Sequence, residues 1–337
     1  MSIVSSNDAG QAASPFTELA ERALRGEALS REQARAVLAT PDELLADLLR
    51  AAFVVRERYW GRRVKLCVLQ NARSGLCPED CSYCSQSKVS AADIDTYRLL
   101  PQDELLRGAE AAVARGARRY CMVTSGRGPS ERDIQQLCAA TREIKRRYPE
   151  LEICVSLGLM DDSQAQRLAE AGVGWVNHNL NTSERFYPKI CTTHTYADRV
   201  STVRAAKRAG LNTCCGGIIG MGEDDEDVID LGFALRELQV DSLPVNFLHA
   251  IDGTPLGGRP KTSPTRALRA LCLMRFLNPE ADIRAAGGRE HTLGDWQALA
   301  LYPANSIFVN GYLTTPGQAV AEAQQMVASI GFELETE

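Results

Sequence analysis

Short apolar runs alternate with longer amphipathic stretches along most of the chain, from residue 64 onward. The runs are rich in β-branched residues and have the length of buried strands, whereas the stretches between them repeat apolar residues at helical spacing. Eight runs occur, at residues 64–69, 119–124, 152–157, 174–179, 213–219, 243–248, 282–286 and 306–310, and helix-like segments lie at residues 103–115, 130–147, 163–171, 196–208, 225–238, 265–277 and 293–301. Eight strands that alternate with helices predict an α/β fold, a TIM-type (β/α)8 barrel. A doubly wound open sheet is the alternative, because periodicity does not show that a sheet closes.

The rest of the chain predicts a helical extension before the barrel and a helical segment after it. Ser30 and Thr40 each begin a capping-box pattern, the second with Pro41 at the first helical position, so two helices are expected in the extension. The expected boundaries are a disordered N-terminus over residues 1–15, the helical extension over 16–60, the barrel over 61–316, and a C-terminal helix and tail over 317–337.

Composition and charge exclude several classes of partner. The 337 residues include 38 basic and 43 acidic side chains, a formal net charge of −5, and no block of Lys and Arg dense enough for a nucleic-acid surface. No apolar stretch approaches the roughly 18 residues of a membrane span, and the N-terminus lacks the charged-then-apolar order of a signal peptide. The expected protein is a soluble, cytoplasmic enzyme that acts on a small molecule.

Three closely spaced cysteines are the strongest candidates for chemistry. Cys77, Cys81 and Cys84 form a C-x-x-x-C-x-x-C pattern in a polar loop directly after the first predicted strand. A [4Fe–4S] cluster normally takes four thiolates, so three thiolates predict a cluster with one iron open to another ligand. Zinc would need a second pair of ligands, a bacterial ferredoxin has a shorter first gap, and a polar turn is a poor place for core thiols. The spacing, with Tyr83 before the third cysteine, resembles the signature of the radical S-adenosylmethionine (SAM) superfamily.

Further cysteines fall on predicted strands. The chain has 11 cysteines without the dense framework of a secreted disulfide scaffold, which favours metal ligation in a reducing compartment. Cys121, Cys154 and Cys214 lie on the second, third and fifth predicted strands, and Arg284 lies on the seventh. In a barrel these four side chains can point into one lumen, although Cys121 and Cys154 taken singly are better explained as structural thiols. Since side chains alternate along a strand, Cys214 and Cys215 cannot both face the lumen.

Eight longer segments narrow the resemblance from the superfamily to one of its families. They are LCPEDCSYCSQS, YCMVTSGRGPSERD, VNHNLNTS, TTHTYADR, CCGGIIGMGE, DSLPVNFLHAIDGTPL, IRAAGGRE and ANSIFVNGYLTTPG, spread over most of the chain. In this order they resemble the biotin synthase family of the radical SAM superfamily. The resemblance implies conversion of dethiobiotin to biotin, the last step of biotin biosynthesis, by insertion of one sulfur between a methyl and a methylene carbon.

The same resemblance implies two iron–sulfur clusters with separate tasks. A [4Fe–4S] cluster on Cys77, Cys81 and Cys84 would bind SAM and generate a 5′-deoxyadenosyl radical that abstracts hydrogen. A [2Fe–2S] cluster would donate the sulfur, and its implied ligands are Cys121, Cys154, Cys214 and Arg284. No side chain is assigned a catalytic acid or base role, because unactivated C–H bonds carry no acidic proton.

Polar residues at the predicted strand ends are candidates for binding the two ligands. The substrate candidates are Asn177, Asn179, Asn246, Thr314 and Thr315, and the SAM candidates are Tyr83, Asn179, Asn181, Gly216 and Gly217. The amides suit a ureido ring, the hydroxyls suit a carboxylate, and the glycines allow close approach of the backbone. The resemblance implies that Asn179 contacts both ligands and that Asn181 contacts the ribose of SAM. For each asparagine, capping of a turn or strand end is an equal alternative.

The histidines and the remaining cysteines are assigned no role in the chemistry. His178 should turn away from the lumen if Asn177 and Asn179 face it, and the other histidines show no metal-ligand spacing. The cysteines predicted to serve only in packing are Cys67, Cys138, Cys191, Cys215 and Cys272.

Two other functions stay open at this point. One is a radical SAM enzyme with a different outcome, such as a mutase, lyase or maturase, and the other is a non-enzymatic iron–sulfur carrier or redox sensor. The resemblance also implies a flavodoxin or ferredoxin as electron donor and a homodimer.

Overall fold

The computed structural model describes residues 14–335, so the disorder predicted for the N-terminus falls almost wholly outside it. The strands are β1 (Arg63–Arg73), β2 (Arg119–Thr124), β3 (Glu152–Ser156), β4 (Trp175–Asn177), β5 (Asn212–Cys214), β6 (Gly217–Ile219), β7 (Ser242–Phe247), β8 (Asp282–Ala285), β9 (Ser306–Val309) and β10 (Glu333–Leu334). The helices are α1 (Thr17–Leu24), α2 (Arg31–Leu38), α3 (Leu45–Trp60), α4 (Gln102–Ala114), α5 (Glu131–Arg147), α6 (Asp162–Glu170), α7 (Tyr196–Arg208), α8 (Asp225–Glu237), α9 (Pro264–Leu277), α10 (Arg289–Leu293) and α11 (Val320–Ser329).

The strands close into a barrel, which confirms the predicted fold and excludes the open sheet. Every strand pairing is parallel, and β1 pairs with β2 on one side and with β9 on the other. The closing register joins Lys65 to Ser306 and Val68 to Val309. Strand β10 adds to the outside of β1 through Arg63 and Val64, a pairing that the sequence did not predict.

The fifth predicted strand is wrong as a single element, because it divides into β5 and β6. Both pieces pair with β7. An isolated parallel bridge between Asn181 and Gly217 also joins β6 to the segment after β4. The break falls at Gly216, where a Cβ atom would lie 1.9 Å from the Pro244 carbonyl oxygen. The backbones therefore approach too closely for a regular strand with side chains at this point.

Two predicted helix starts are confirmed, and two other predictions about helices are wrong. Ser30 and Ser130 accept hydrogen bonds from the backbone amides of Gln33 and Asp133 and so begin α2 and α5. Thr40 is not a cap, because its hydroxyl donates to carbonyl oxygens of the preceding helix and a 3-10 turn follows instead. The predicted helix over residues 293–301 is also wrong, since α10 ends at Leu293 and a 3-10 segment follows.

The N-terminal extension consists of three helices, α1 to α3, where the sequence predicted two. Helix α1 packs against α9, helix α2 packs against α8 and α9, and α3 reaches the amino-terminal end of the barrel. Its contact with the barrel is anchored by Arg56 of α3, whose fully buried guanidinium donates to the carbonyl oxygens of Arg63 and Ala304. These two carbonyls stand at or just before the first residues of β1 and β9, so the opposite, carboxyl end of the barrel stays free for a site. Among residues 14–335, no helix is long and apolar enough to span a bilayer.

Candidate active site

One cavity of about 280 Å³ opens at the carboxyl ends of the barrel strands and extends into the lumen. The predicted site residues that line it are Cys77, Cys81, Tyr83, Cys84, Cys121, Cys154, Asn177, Asn179, Asn181, Cys214, Asn246, Arg284, Thr314 and Thr315. The three-cysteine loop borders the mouth, and the strand cysteines with Arg284 border the interior. The structure thus brings the two predicted ligand sets into a single space, as the barrel interpretation requires.

The cluster loop at residues 77–84 is held in shape by its own backbone. The Cys84 amide donates to the Cys81 carbonyl at 3.2 Å, and the Ser87 amide donates to the Cys84 carbonyl at 3.1 Å. Cys81 is buried, while Cys77 and Cys84 are partly exposed. These turns direct three thiols of one short loop toward the cavity, and no disulfide competes for them within the described chain.

The strand thiols form two neighbouring groups in the lumen. Cys121 and Cys154 are paired in the register of β2 and β3, and a hydrogen bond from the Cys154 thiol lowers the pKa of Cys121. On the other side, Cys214 Sγ lies 3.3 Å from Asn177 Nδ2 and 3.5 Å from Arg284 Nη1. Cys214 faces this lumen and Cys215 packs into the outer hydrophobic core, as alternation along the strand predicted.

Arg284 lies in a buried charge network. Burial by itself would lower the pKa of Arg284. The charges of nearby thiols and of Asp282 outweigh burial and raise this pKa well above its ordinary value. The Asp282 carboxylate lies 3.4 Å from Arg284 Nη2 and 3.4 Å from Arg119 Nη1, and accepts hydrogen bonds from Ser306 and Asn305. Burial alone would raise the pKa of Asp282, but the two guanidinium groups lower it well below the usual range. The carboxylate therefore stays ionised and fixes the position of Arg284.

This network predicts a large stability loss in Asp282→Asn. The substitution removes the counter-charge of the buried Arg284 guanidinium and one of the two carboxylates beside Arg119, which keeps Glu152 at 2.8 Å, so we expect the free energy of unfolding to fall by about 3–5 kcal/mol. Urea denaturation of the metal-free protein, followed by circular dichroism, measures the change. The matched control is Asp162→Asn, which removes an ion pair to Arg208 with an Asp162 side chain 64% exposed; it should cost at most about 1 kcal/mol. Equal losses in the two variants would contradict the assignment.

Asn177 and Asn179 present complementary amide atoms to the cavity. Asn177 Nδ2 donates to Asn179 Oδ1 at 3.2 Å, and the Gly216 amide donates to the same oxygen at 3.0 Å. The two atoms left over, Asn177 Oδ1 and Asn179 Nδ2, have no partner among residues 14–335 and are not buried by the protein. The pair therefore offers one acceptor and one donor side by side.

The remaining polar candidates differ in how far the protein already uses them. Asn181 Nδ2 donates to the Tyr83 hydroxyl at 2.7 Å, which leaves Asn181 Oδ1 available as an acceptor. Asn246 bridges two backbone groups, donating to Gly217 O at 3.1 Å and accepting from Gly287 N at 3.0 Å. Thr315 directs both its hydroxyl and its amide to the Tyr312 carbonyl, whereas the Thr314 hydroxyl pairs with Ser85, directly after the cluster loop, at 2.8 Å.

Gly216 and Gly217 do not line the cavity. Where Gly217 would carry a Cβ atom, a Leu231 side-chain carbon lies at 2.3 Å, and the Pro244 carbonyl fills the corresponding place at Gly216. The absence of side chains at both positions is thus required by packing of β6 against its neighbours. A role in binding SAM would have to use backbone atoms alone.

Orphaned polar atoms show that the cavity is built for bound groups. Thr124 Oγ1, His178 Nε2 and Arg284 Nε belong to lining residues, are buried, and lack a hydrogen-bond partner within the described chain. A buried polar atom without a partner costs free energy unless a ligand or water satisfies it. Soft thiol donors in the same space suit iron–sulfur clusters, so the cysteines at the mouth and in the lumen fit the two groups that the sequence suggested. Arg284 would have to give up a proton to bind iron.

Three features of the site were missed or mispredicted from the sequence. Arg199 of α7 is a buried cation that lines the cavity, with Nη1 2.8 Å from the Asn179 carbonyl oxygen. His178 borders the cavity instead of turning away, because β4 ends at Asn177 and regular alternation stops there. Cys191 lies beside Cys81, with 3.7 Å between the two Sγ atoms.

The histidine at position 194 belongs to the same neighbourhood. Cys81, Cys191 and His194 each place a ligand atom within 4.8 Å of the other two. No local pattern signals this group, since 110 residues separate Cys191 from Cys81 in sequence. By contrast, Cys138 and Cys272 pack in the outer core as predicted, and Cys67 is buried against Cys121 and Cys154.

Comparison with known proteins decides the family. A family model described as the radical SAM superfamily matches residues 73–233, and one described as the biotin and thiamin synthesis associated domain matches residues 244–333. The biotin synthase of Bacillus velezensis is 51% identical over 321 residues, covering 95% of this chain and 94% of the relative. The chain belongs to the biotin synthase family. The biotin synthase of Geobacillus kaustophilus is 51% identical to it, covering 94% of this chain and 95% of the relative. The biotin synthase of Bacillus subtilis is 50% identical, covering 95% of this chain and 96% of the relative.

Family membership makes the protein a radical SAM sulfurtransferase. Its cofactors are then SAM and a [4Fe–4S] cluster, as the radical SAM domain implies, and a [2Fe–2S] cluster, as biotin synthases imply. Solved structures share the fold at low identity. Methylornithine synthase superposes with a TM-score of 0.83 at 22% identity, covering 94% of this chain and 97% of that one. A maturase of the [FeFe]-hydrogenase superposes with a TM-score of 0.81 at 15% identity, covering 97% of this chain and 77% of that one.

Proposed function

We propose that the chain converts dethiobiotin to biotin inside the single barrel cavity, with a radical-generating site at its mouth and a sulfur-donating site in its lumen. Cys77, Cys81 and Cys84 hold the [4Fe–4S] cluster in this proposal. Cys121, Cys154, Cys214 and Arg284 hold the [2Fe–2S] cluster. The observation that carries the proposal is the joint placement of both ligand sets along one cavity, which Asn177 and Asn179 also line.

When bound, the clusters and SAM supply a carbon radical that can abstract hydrogen from unactivated carbon, together with a sulfur atom. The chain's own residues bind and orient the reactants. A ureido group carries N–H donors and a carbonyl acceptor, which match the free Asn177 Oδ1 and Asn179 Nδ2. Asn246, already tied to Gly217 and Gly287, holds β6 against the turn after β8 and has one further N–H to offer.

Thr314 and Thr315 bind the far carboxylate of dethiobiotin in this proposal. The Thr315 hydroxyl and amide close the turn with Tyr312, so Thr315 acts by fixing the turn. The Thr314 amide has no partner among residues 14–335, and the Thr314 hydroxyl can accept from Ser85 and still donate to the carboxylate. The bond between Thr314 and Ser85 connects the carboxylate site to the cluster loop. Substrate binding and the mouth of the radical site are thereby linked physically.

SAM lies near Tyr83, Asn179 and Asn181 in this proposal. Asn181, held by Tyr83, presents Oδ1 to a ribose hydroxyl, and the Gly216 amide and carbonyl hold Asn179 and Asn181 in place. The buried cation of Arg199 beside the Asn179 carbonyl suits the carboxylate of SAM, because a charge-assisted hydrogen bond is favoured in a buried site. The cavity walls exclude water from the radical by the same packing that encloses these contacts.

Binding measurements on two variants test the two subsites against each other. Asn181 has a φ angle of 72°, which glycine adopts without strain, so Asn181→Gly removes the amide and keeps the backbone. We expect it to weaken SAM binding about fivefold, the value of one hydrogen bond, and to leave dethiobiotin binding unchanged. Thr314→Val removes the hydroxyl, which can accept from Ser85 and donate to the carboxylate, so it should weaken dethiobiotin binding by a similar factor and leave SAM binding unchanged. Equilibrium dialysis of both ligands on the reconstituted protein measures the four affinities, and equal effects of each variant on both ligands would contradict the placement.

The supply of electrons, the assembly state and the cellular location follow from the family in this proposal. A flavodoxin or ferredoxin delivers the electrons, two chains form a homodimer, and the enzyme works in the cytoplasm.

A further inference from the structure

The cluster loop is fastened to a second segment, residues 190–194, which lies between β4 and α7. The Ser82 amide donates to the Ile190 carbonyl at 2.9 Å. The Asp80 carboxylate accepts hydrogen bonds from the backbone amides of Thr192, at 2.9 Å, and Thr193, at 3.2 Å. Three hydrogen bonds therefore fix the two segments edge to edge, and the side chain between them is that of Cys191.

Cys191 is buried with its sulfur 3.7 Å from the sulfur of Cys81, and both residues are less than a tenth exposed. Three other polar atoms lie near the Cys191 sulfur, namely His194 Nδ1 at 3.3 Å, Thr193 Oγ1 at 3.6 Å and His194 Nε2 at 3.9 Å. Which of these neighbours accepts the Cys191 proton decides what this thiol does.

The His194 and Thr193 atoms are already engaged by Glu79. His194 Nδ1 lies against the buried Glu79 carboxylate, so this nitrogen carries a proton and is a donor. The Thr193 hydroxyl donates to Glu79, and its oxygen accepts from the Asp80 amide at 3.2 Å. His194 Nε2 and a second lone pair of Thr193 Oγ1 remain as neutral acceptors. The sulfur of Cys81 is the one acceptor among these neighbours that becomes negatively charged, once it has lost its own proton to bind iron, so it is the strongest acceptor for the Cys191 proton.

We propose that Cys191 is a positioning residue of the radical-generating site, whose S–H donates a hydrogen bond to the iron-bound sulfur of Cys81. The inference rests on the proposed function, because it takes Cys81 as a cluster ligand. Hydrogen bonds to cluster sulfurs are among the factors that set reduction potential. Reduction adds negative charge to the cluster and its sulfurs, so a donor at Cys81 stabilises the reduced form more than the oxidised form and favours electron uptake.

Removal of the donor should therefore make the cluster harder to reduce. We expect Cys191→Val to lower the ratio of reduced to oxidised [4Fe–4S] cluster about threefold at a fixed potential, which is about 28 mV for a one-electron couple. Cys191→Ser keeps a donor of similar size and should restore most of the difference. Cys138→Ala removes a buried thiol on α5, away from the cavity, and should leave the ratio unchanged.

The experiment is an anaerobic redox titration of the reconstituted full chain, read by electron paramagnetic resonance of the reduced cluster, with iron content measured in parallel. A lower midpoint potential in Cys191→Val that recovers in Cys191→Ser supports the proposal. Loss of the cluster in Cys191→Val, with the cluster kept in Cys191→Ser, supports it as well. An unchanged potential in a Val variant with full iron content overturns it, and so does loss of the cluster in both variants, since the role would then be packing. Failure of the unsubstituted chain to assemble a [4Fe–4S] cluster would instead contradict the proposed function.

Discussion

Cys84→Ala should abolish both SAM cleavage and biotin formation. The three cysteines at the mouth of the cavity are the only protein ligands proposed for the [4Fe–4S] cluster, so loss of one leaves two thiolates for a cluster that otherwise has three. We expect 5′-deoxyadenosine and biotin both to fall to background in anaerobic assays with dithionite, and the brown absorbance of that cluster to be lost. Liquid chromatography with mass spectrometry quantifies both products.

The matched control for this loss is Cys138→Ala, which also removes a buried thiol. Cys138 packs between α5 and α6, and its sulfur lies 3.5 Å from the Arg167 carbonyl oxygen, remote from the cavity lining. Activity close to that of the unsubstituted chain is expected there. Substantial 5′-deoxyadenosine from the Cys84 variant would contradict the assignment of the triplet.

Cys154→Ala should separate the two products. Cys154 is 1% exposed in the lumen beside Cys121, and none of the proposed ligands of the radical-generating cluster is shared with it. We expect biotin to fall to background while 5′-deoxyadenosine stays within about a factor of two, because sites without shared partners act independently. Circular dichroism and iron content show whether the variant is folded and keeps the [4Fe–4S] cluster.

The control for Cys154→Ala is Cys215→Ala. Cys215 sits next to a proposed ligand in sequence but packs into the outer core, so its loss should leave both products. Parallel loss of biotin and 5′-deoxyadenosine in a folded Cys154 variant would contradict separate roles for the two sites. Retention of biotin would contradict the lumen site itself.

Features set by local sequence were predictable in this protein. Ser30 and Ser130 cap their helices because the bond to the third helical amide depends only on neighbouring residues. The count of strand runs separated by helices predicts a barrel, although closure itself is a contact between the distant strands β1 and β9. The C-x-x-x-C-x-x-C spacing by itself points to an open iron. Alternation from the last residue of β5 to the next residue also separates the lumen residue Cys214 from the core residue Cys215.

Features set by contacts between distant segments were not predictable from local pattern. The division of the fifth strand depends on how closely Gly216 approaches Pro244 of β7. Arg199 enters the cavity from a helix whose pattern gives no sign of an inward cation, and Cys191 meets Cys81 only because two loops are joined by hydrogen bonds. The ligand set of Cys121, Cys154, Cys214 and Arg284 came from family resemblance, and no spacing in the sequence would have suggested Arg284.

The most direct test of the central claim measures both products in one anaerobic reaction of the reconstituted chain with SAM, a reductant and dethiobiotin. The proposed function predicts 5′-deoxyadenosine together with biotin, and no biotin when dethiobiotin is left out. Cleavage of SAM without biotin would indicate a radical SAM enzyme of different outcome. A protein that holds its clusters yet releases neither product would contradict the account and indicate an iron–sulfur carrier or sensor.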